Sequence, residues 1–324
     1  MAAFDLLVLG DANPDVVVHG ASGDLTFGQA ERMVEDARLT LGGSGALMAS
    51  AAARLGLSTA FVGVVGADPG GDLVLAMLTD AGVDVSGVTR DRFTATALSV
   101  VLVCRDGDRA ILTSAGTLPS FGPEHVDPGL LARARHVHVT SVFLQPKLLA
   151  ALPDLLGAAR SGGASTSMDT NDDPTGRWVL DLGRVLPVVD YLLPNEREVE
   201  GLASGGSGHT DARHAARSLA DHGPCVVVKC GPAGAFAVPA GGGTVITALA
   251  PASAVQVVDS VGAGDAFDAG LVAGLSQGVG LRGALRLAVA VGTLSLRVTG
   301  GRDGQPGPGE AADLARHVVV EDEE

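Results

Sequence analysis

Asp259-Ser260-Val261-Gly262-Ala263-Gly264-Asp265-Ala266-Phe267 places two glycines just before a carboxylate. A β-prone run, Ala254–Val258, precedes it and a small-residue helical pattern, Asp265–Leu275, follows, so its glycines are expected at a helix N-terminus. N–H groups without intrahelical acceptors, together with the positive end of the helix dipole, make such a turn a place for an anion such as phosphate. A carboxylate there would repel the anion that the glycines attract. The conflict resolves if Asp265 is a base, accepting a hydroxyl proton while the amides of Gly262, Ala263 and Gly264 hold a transferring phosphoryl group. The plain alternative is a helix cap, for which Asp is a favoured residue.

Strand and helix patterns alternate on both sides of this stretch. Leu6–Gly10 is a short apolar run ending in Gly, the pattern of a buried strand, with Asp11, Asn13 and Asp15 at its carboxyl end. Ligands of open α/β sheets bind at that edge, so Asn13 and Asp15 are placed either to meet a polar ligand or to form an ordinary Asx turn. Gly42-Gly43-Ser44-Gly45 opens a small-residue helix, Ala46–Leu55, a start that suits close approach of a ligand or simply a tight turn. Ala60–Gly66 reads as a strand and Leu73–Ala81 as a helix. Further strands are expected at His136–Thr140, Ser165–Asp169, Tyr191–Leu193, Cys225–Cys230 and Ala235–Val238. Helices are expected at Lys147–Arg160, Val199–Ala203 and Asp211–His222. The alternation predicts an α/β fold, a doubly wound and mostly parallel sheet. Ser204–Gly208 reads as a surface loop, and no linker or repeat divides the chain, so residues 1–324 are expected to be one domain.

Thr96–Cys104 and Arg109–Ser114 are β-prone runs joined by Arg105-Asp106-Gly107-Asp108, and Asp-Gly between such runs signals a hairpin. With Val16–His19 and Leu39–Leu41 it is expected to stand outside the main sheet as a small β lid, drawn from about 14–41 and 93–117. Lids of this kind close over substrates and exclude water.

Length and composition agree with this reading. A chain of 324 residues, 46% hydrophobic, buries a large core, and with 3% aromatics and 46 glycines that core must be packed by Ala, Val and Leu. A formal charge of −15 and the lack of any basic run exclude nucleic acid and anionic membrane surfaces as partners, though not a nucleotide. Cys104, Cys225 and Cys230 have no metal-ligand spacing and read as reduced core or lid residues of a cytoplasmic protein. Residues 1–10 show no signal-peptide pattern, and no apolar run approaches the roughly 20 residues of a membrane helix. The acidic tail after Val320 is expected to fray.

Taken with Gly42-Gly43, Ala53-Arg54-Leu55-Gly56 and Asn195-Glu196-Arg197-Glu198, in this order and at these separations, the opening stretch resembles the signature of the ribokinase-like carbohydrate kinases, the PfkB family. The resemblance covers nearly the whole chain. It implies a three-layer α/β/α sandwich with a β-sheet lid, and ATP-dependent phosphorylation of a hydroxyl on a small sugar-like acceptor. Asp265 matches the family's catalytic base, and Gly262, Ala263 and Gly264 its anion hole. Asn195 and Glu198 match a motif that orders Mg²⁺ and its waters; as bare residues they could equally start a helix. Lys229, Gly231 and Gly234, with Asn195, match the nucleotide-contacting positions, although the glycines would look the same in a plain turn.

Asn13, Asp15, Gly42 and Gly43 match the acceptor-binding positions, where an ionised Asp accepts two hydroxyls. Leu47 stands where many family sugar kinases carry Asn, which makes the acceptor pocket more apolar. Asp169-Thr170-Asn171, with Pro174 and Trp178, resembles a segment of fructokinase and 2-keto-3-deoxygluconate kinase relatives. Asp259 and the carbonyl of Val261 match part of a monovalent-cation site, which would add K⁺, while the loop Thr299–Gly304 departs from the usual sequence. The lid offers a homodimer interface in this family. A nucleoside kinase of the adenosine or pseudouridine type, and a non-catalytic ligand-binding protein on the same scaffold, are the alternatives.

Overall fold

The computed structural model describes residues 3–21, 28, 31–104, 109–206 and 211–323. Among these the strands are β1 (Phe4–Leu9), β2 (Asn13–Ala21), β3 (Asp36–Gly42), β4 (Thr59–Val62), β5 (Val64–Gly66), β6 (Thr89–Asp91), β7 (Leu98–Cys104), β8 (Arg109–Ser114), β9 (Ala134–Thr140), β10 (Ser165–Asp169), β11 (Tyr191–Leu192), β12 (Cys225–Lys229), β13 (Ala235–Val238), β14 (Val245–Leu249) and β15 (Val319–Glu323). The helices are α1 (Ser44–Arg54), α2 (Pro69–Asp80), α3 (Pro128–Leu131), α4 (Pro146–Ser161), α5 (Leu182–Val185), α6 (Glu196–Ser204), α7 (Ala212–Ala220), α8 (Ala263–Ser276), α9 (Gly280–Ser295) and α10 (Pro308–Ala315).

β1 is apolar without alternation because both its faces are covered. Leu7 and Leu9 pack with side chains of α4, α6 and α7, whereas Leu6 and Val8 pack with α1, α2 and α8. The result is a three-layer sandwich around the sheet β15-β14-β13-β12-β11-β10-β9-β1-β4. Strands β4 through β12 in that order are parallel. The chain leaves β1 toward β4 on one side and later returns to β9 on the other, so the strand order reverses beside β1 and opens a crevice at the carboxyl edge.

The alternation read from sequence overstates the parallel pairing. β13, β14 and β15 are antiparallel, because the connection Cys230–Gly234 is too short for a crossover and must fold β13 back as a hairpin. Ala254–Val258 is not a strand, and Val257 and Val258 are exposed. Ala60–Gly66 breaks at Gly63 into β4 and β5, which belong to different sheets. Glu321, Asp322 and Glu323 of the acidic tail do not fray but lie in β15, the edge strand, where Asp322 pairs with Arg282 at 2.5 Å and Glu323 with Arg213; Glu324 lies outside the described residues. Charges along an edge strand discourage pairing with a second chain. β14, α9 and α10 carry too little pattern to be anticipated. The small residues of α8 serve close packing, since a Cβ on Gly274 would come within 2.5 Å of Ala284 Cα on α9.

The lid is a separate sheet ordered β3-β2-β7-β8. The turn Arg105–Asp108, and Ser207 and Gly208 of the Ser204–Gly208 loop, lie outside the described residues. Strand register sorts the lid's side chains into two faces. Thr40, Asp15, Ser99 and Thr113 form one inner row, and Leu39, Val16, Val100 and Leu112 form an outer apolar row. Leu39 and Leu112 are more than half exposed, at 57% and 61%.

Candidate active site

Two helix N-termini converge at the crevice. Gly43 precedes α1 with φ 84° and Gly262 precedes α8 with φ 71°, conformations that favour glycine. Asp11, beyond the end of β1, accepts the amides of Ser44 at 3.1 Å and Gly45 at 3.0 Å, tying α1 to the sheet edge. Asp265 is the third residue of α8 and the cap position belongs to Gly262, so Asp265 does not serve as the N-cap. Its carboxyl is buried and meets the Ser44 side chain.

Buried carboxyls crowd this edge: Asp11, Asp15, Asp169, Glu198, Asp265 and Asp268 are each at most 8% exposed. Lys229 lies among them, its Nζ 2.6 Å from Asp169 and 3.3 Å from Asp268. Burial, then the negative charge of Asp169, pushes Asp265 up to about 8, while Lys229 and Ser44 pull the other way. Burial pushes Glu198 up to about 7 and Asp15 to about 6, and raises Asp11 as well. Burial drives Asp268 well above the usual carboxylate range. Burial acts to raise Asp169, but the Lys229 charge and hydrogen bonds from Asp268, Lys229 and the Asn171 amide together hold it below that range, and Lys229 itself is held protonated by Asp169 despite its own burial.

Asn13 and Asp15 are brought together at the base of the lid, Asn13 Nδ2 donating to Asp15 Oδ1 at 2.7 Å. Gly42 lies so close that a Cβ there would meet the Asp15 carboxylate at 2.0 Å. Leu47 is buried, and a Cβ on Gly262 or Gly301 would come within 3.1 or 2.9 Å of its Cδ1, so it packs on the backbone of the anion turn. Asp259 accepts the amides of Val261 at 3.0 Å and Gly300 at 2.9 Å, tying the 299–304 loop to that turn.

Asn195 and Glu198 form a reciprocal capping box at the start of α6. Glu198 accepts the Asn195 backbone amide at 2.8 Å and its Nδ2 at 2.6 Å, and its own amide donates to Asn195 Oδ1 at 3.0 Å. The capping alternative is therefore met, and it leaves a buried carboxylate at the crevice. Gly231 (φ 51°) and Gly234 (φ 81°) form the tight turn between β12 and β13, where a Cβ on Gly234 would strike Ala248 O at 2.1 Å. That contact explains Gly234 without a nucleotide. Trp178 is core, edge-on to Phe143 at 5.6 Å and against Gly201 of α6. Asn171 ties Asp169's loop to β9 by donating to Thr140 at 3.0 Å.

Two residues of this cluster were not singled out from sequence. Asp11 belonged to a recognised strand end but carried no motif, and Asp268 sits one residue past the signature, in an otherwise apolar helical run where a lone carboxylate was the available signal.

The pfkB family carbohydrate kinase model matches residues 3–307. The chain belongs to the pfkB carbohydrate kinase family. This kinase is 32% identical over 300 residues to an ATP-dependent ribose-1-phosphate kinase of Halopiger xanaduensis, covering 92% of this chain and 93% of that one. It is 28% identical over 281 residues to a 2-dehydro-3-deoxygluconokinase of Bacillus subtilis, covering 82% and 83%. A structure of Arabidopsis thaliana ribokinase complexed with ribose and ATP superposes with a TM-score of 0.83 at 26% identity, covering 98% of this kinase and 99% of that chain. Among the described residues of the kinase, no helix is long and apolar enough to cross a membrane.

Proposed function

We propose that this kinase transfers the γ-phosphoryl group of ATP to a hydroxymethyl or similar hydroxyl of a small sugar or sugar phosphate, with Asp265 as general base. The observation that carries the reading is the Asp265 carboxyl, buried beside the Gly262-Ala263-Gly264 helix start with its proton affinity raised to about 8, near the working range of a base. The acceptor lies between the lid and the carboxyl edge, its hydroxyls on Asn13 and Asp15. Its oxygen attacks phosphorus as the bond to the ADP oxygen breaks, and its proton passes to Asp265. The amides of Gly262, Ala263 and Gly264 stabilise the transferring group. The turn that follows Lys229, with Gly231 and Gly234, and Asn195 across from it face the nucleotide.

Mg²⁺ fits the donor set, since Glu198 presents a buried carboxylate oxygen and Mg²⁺ keeps most of its waters. Bound there with ATP, it would neutralise phosphate charge; among the described residues no cluster of three metal-ligating side chains exists to hold a bare ion. K⁺ on Asp259 and the Val261 carbonyl is the finer part of this reading. Equal rates in K⁺ and in a bulky organic cation would remove it.

An ATP-consumption screen over pentoses, pentose phosphates, hexoses, sugar acids and nucleosides tests the reading, with ribose 1-phosphate first because a relative acts on it. Turnover with a sugar or sugar phosphate that disappears in Asp265→Asn supports it. Preference for a nucleoside would transfer the assignment to that class, and no acceptor-dependent turnover would favour a ligand-binding protein. We also place a second copy on the outer apolar row of the lid, Leu39, Val16, Val100 and Leu112. Sedimentation of the kinase and of Leu112→Glu tests that dimer, which is absent if both run as the same monomer.

A further inference from the structure

We propose that Asp268 is a positioning residue for the transfer: with Asp169 it clamps the Lys229 ammonium behind the Gly262–Gly264 turn, fixing a positive charge beside the base. The inference rests on the kinase reading above.

Asp268 follows Asp265 by one helical turn, so both face the sheet edge from α8. Ala266, Phe267 and Ala269 around it belong to the apolar core, and Asp268 itself is 1% exposed. Lys229 already has a partner in Asp169 at 2.6 Å. A second carboxyl adds little charge to such a pair, since burial keeps Asp268 protonated, and burying a polar group is costly unless something else depends on it. What it adds is geometry, because Lys229 Nζ stands 3.3 Å from each Asp268 oxygen and 2.6 Å from Asp169, and the Asp268 and Asp169 carboxyls are hydrogen-bonded to each other. Between these anchors the lysine end lies under Gly264, with Nζ 3.5 Å and Cε 3.8 Å from the position a Cβ would take there. The clamped charge is therefore adjacent to the anion turn.

The groups facing this ammonium can be named element by element. Asp265 and Asp268 come from α8, Asp169 from β10, Glu198 from α6 and His138 from β9, while Asp11 at the end of β1 faces Asp265. Lys229 lowers the proton affinity of Asp265, and Asp169 and Asp11 raise it. Releasing one anchor leaves the ammonium on Asp169 alone, no longer fixed under Gly264 beside Asp265. The base should then hold its proton to higher pH.

The test compares Asp268→Ala, which removes the anchor, with Asp268→Asn, which keeps its shape. In Asp268→Ala the acid limb of kcat/KM should move up by roughly one pH unit, and kcat at neutral pH should fall about tenfold with KM for ATP little changed. Asp268→Asn should keep the wild-type limb. A loss of folded protein lowers the rate at every pH and leaves the limb in place, so the limb separates positioning from stability. If Asp268→Ala does not fold, the Asp265 carboxyl is titrated by carbon NMR in unliganded wild type, Lys229→Met and Lys229→Arg. An upward shift in Met reversed in Arg supports the clamp. An unmoved limb in Asp268→Ala, or an unmoved Asp265 resonance in Lys229→Met, overturns it. Wild-type inactivity toward every acceptor would instead overturn the kinase reading, and the NMR titration needs no acceptor.

Discussion

Arg109 of the lid strand β8 donates through Nη1 to the Oγ of Ser260 at 2.9 Å, so the far edge of the lid rests on the loop that leads into the anion turn. The contact spans 151 residues of sequence and joins the small sheet, proposed to cover the acceptor, to the loop before the glycine turn proposed to hold the phosphoryl group. Both partners are exposed, so its worth lies in geometry rather than stability. Arg109→Ala should leave the melting temperature nearly unchanged. It should raise KM for the acceptor and increase acceptor-independent ATP hydrolysis, because an open lid admits water. Coupled and uncoupled ATP turnover measured side by side decides this, and an unchanged ratio would show that the contact does not govern closure.

Stability should fall as pH rises from about 6.5 to 8.5. Asp265 and Glu198 have folded proton affinities raised by burial to about 8 and about 7, so the folded state holds protons that the unfolded chain has lost, and stability falls as pH rises toward 8. His136 and His138 act oppositely: burial lowers them to about 3 and about 4, so their contribution is lost as pH falls below the ordinary histidine value. Asp265 alone accounts for roughly 2 kcal/mol between pH 6.5 and 8.5, as an order of magnitude. Thermal melts without nucleotide or Mg²⁺ should show this fall, and Asp265→Asn should flatten it. A melting temperature that rises steadily to pH 8.5 would contradict the raised Asp265.

Legibility in the sequence followed the kind of constraint involved. Asp265, Asn195 and Lys229 were readable because glycine turns and strand ends limit where a polar side chain can go, and the structure gathers them at one edge. The antiparallel edge β13-β14-β15 was not, because Ala235–Val238 has the same composition whether it pairs forward or back, and only the short turn before it decides. Glu321–Glu323 follow the same rule: acidic residues suit an edge strand as well as a frayed end, and pairing with β14 is a long-range fact. Asp11 and Asp268 are single carboxylates whose importance appears only when distant elements surround them.

Gly262→Ala separates the anion turn from general packing. Gly262 has φ 71°, and a Cβ there would come within 2.8 Å of Gly301 Cα, so alanine is both strained and blocked. Displacing the turn moves the amides of Ala263 and Gly264 off the transferring phosphoryl, and loss of one such donor costs about 10²-fold or more in kcat. Gly278→Ala is the control: it too has positive φ, 72°, but nothing lies within 4 Å of a Cβ at that site, outside the crevice. Comparable melting temperatures with a kcat loss confined to Gly262→Ala would assign the effect to the site. Equal activity in the two variants would refute the anion-hole assignment.

Glu198 offers the sharpest test of the metal. Its carboxylate already accepts two hydrogen bonds from Asn195, and glutamine at this position can still accept one of them, so Glu198→Gln should keep α6 capped. The charge is what the substitution removes. If Glu198 orders Mg²⁺ around the phosphates, the variant should need about tenfold more Mg²⁺ for half-maximal rate, with ATP binding in the absence of metal unchanged or slightly tighter. The wild-type Mg²⁺ requirement should also ease as pH rises through about 7, where Glu198 gives up its proton. Mg²⁺ titrations at pH 6 and pH 8 for both proteins measure each effect. A wild-type requirement independent of pH, together with no change in Glu198→Gln, would leave Glu198 with the capping role alone.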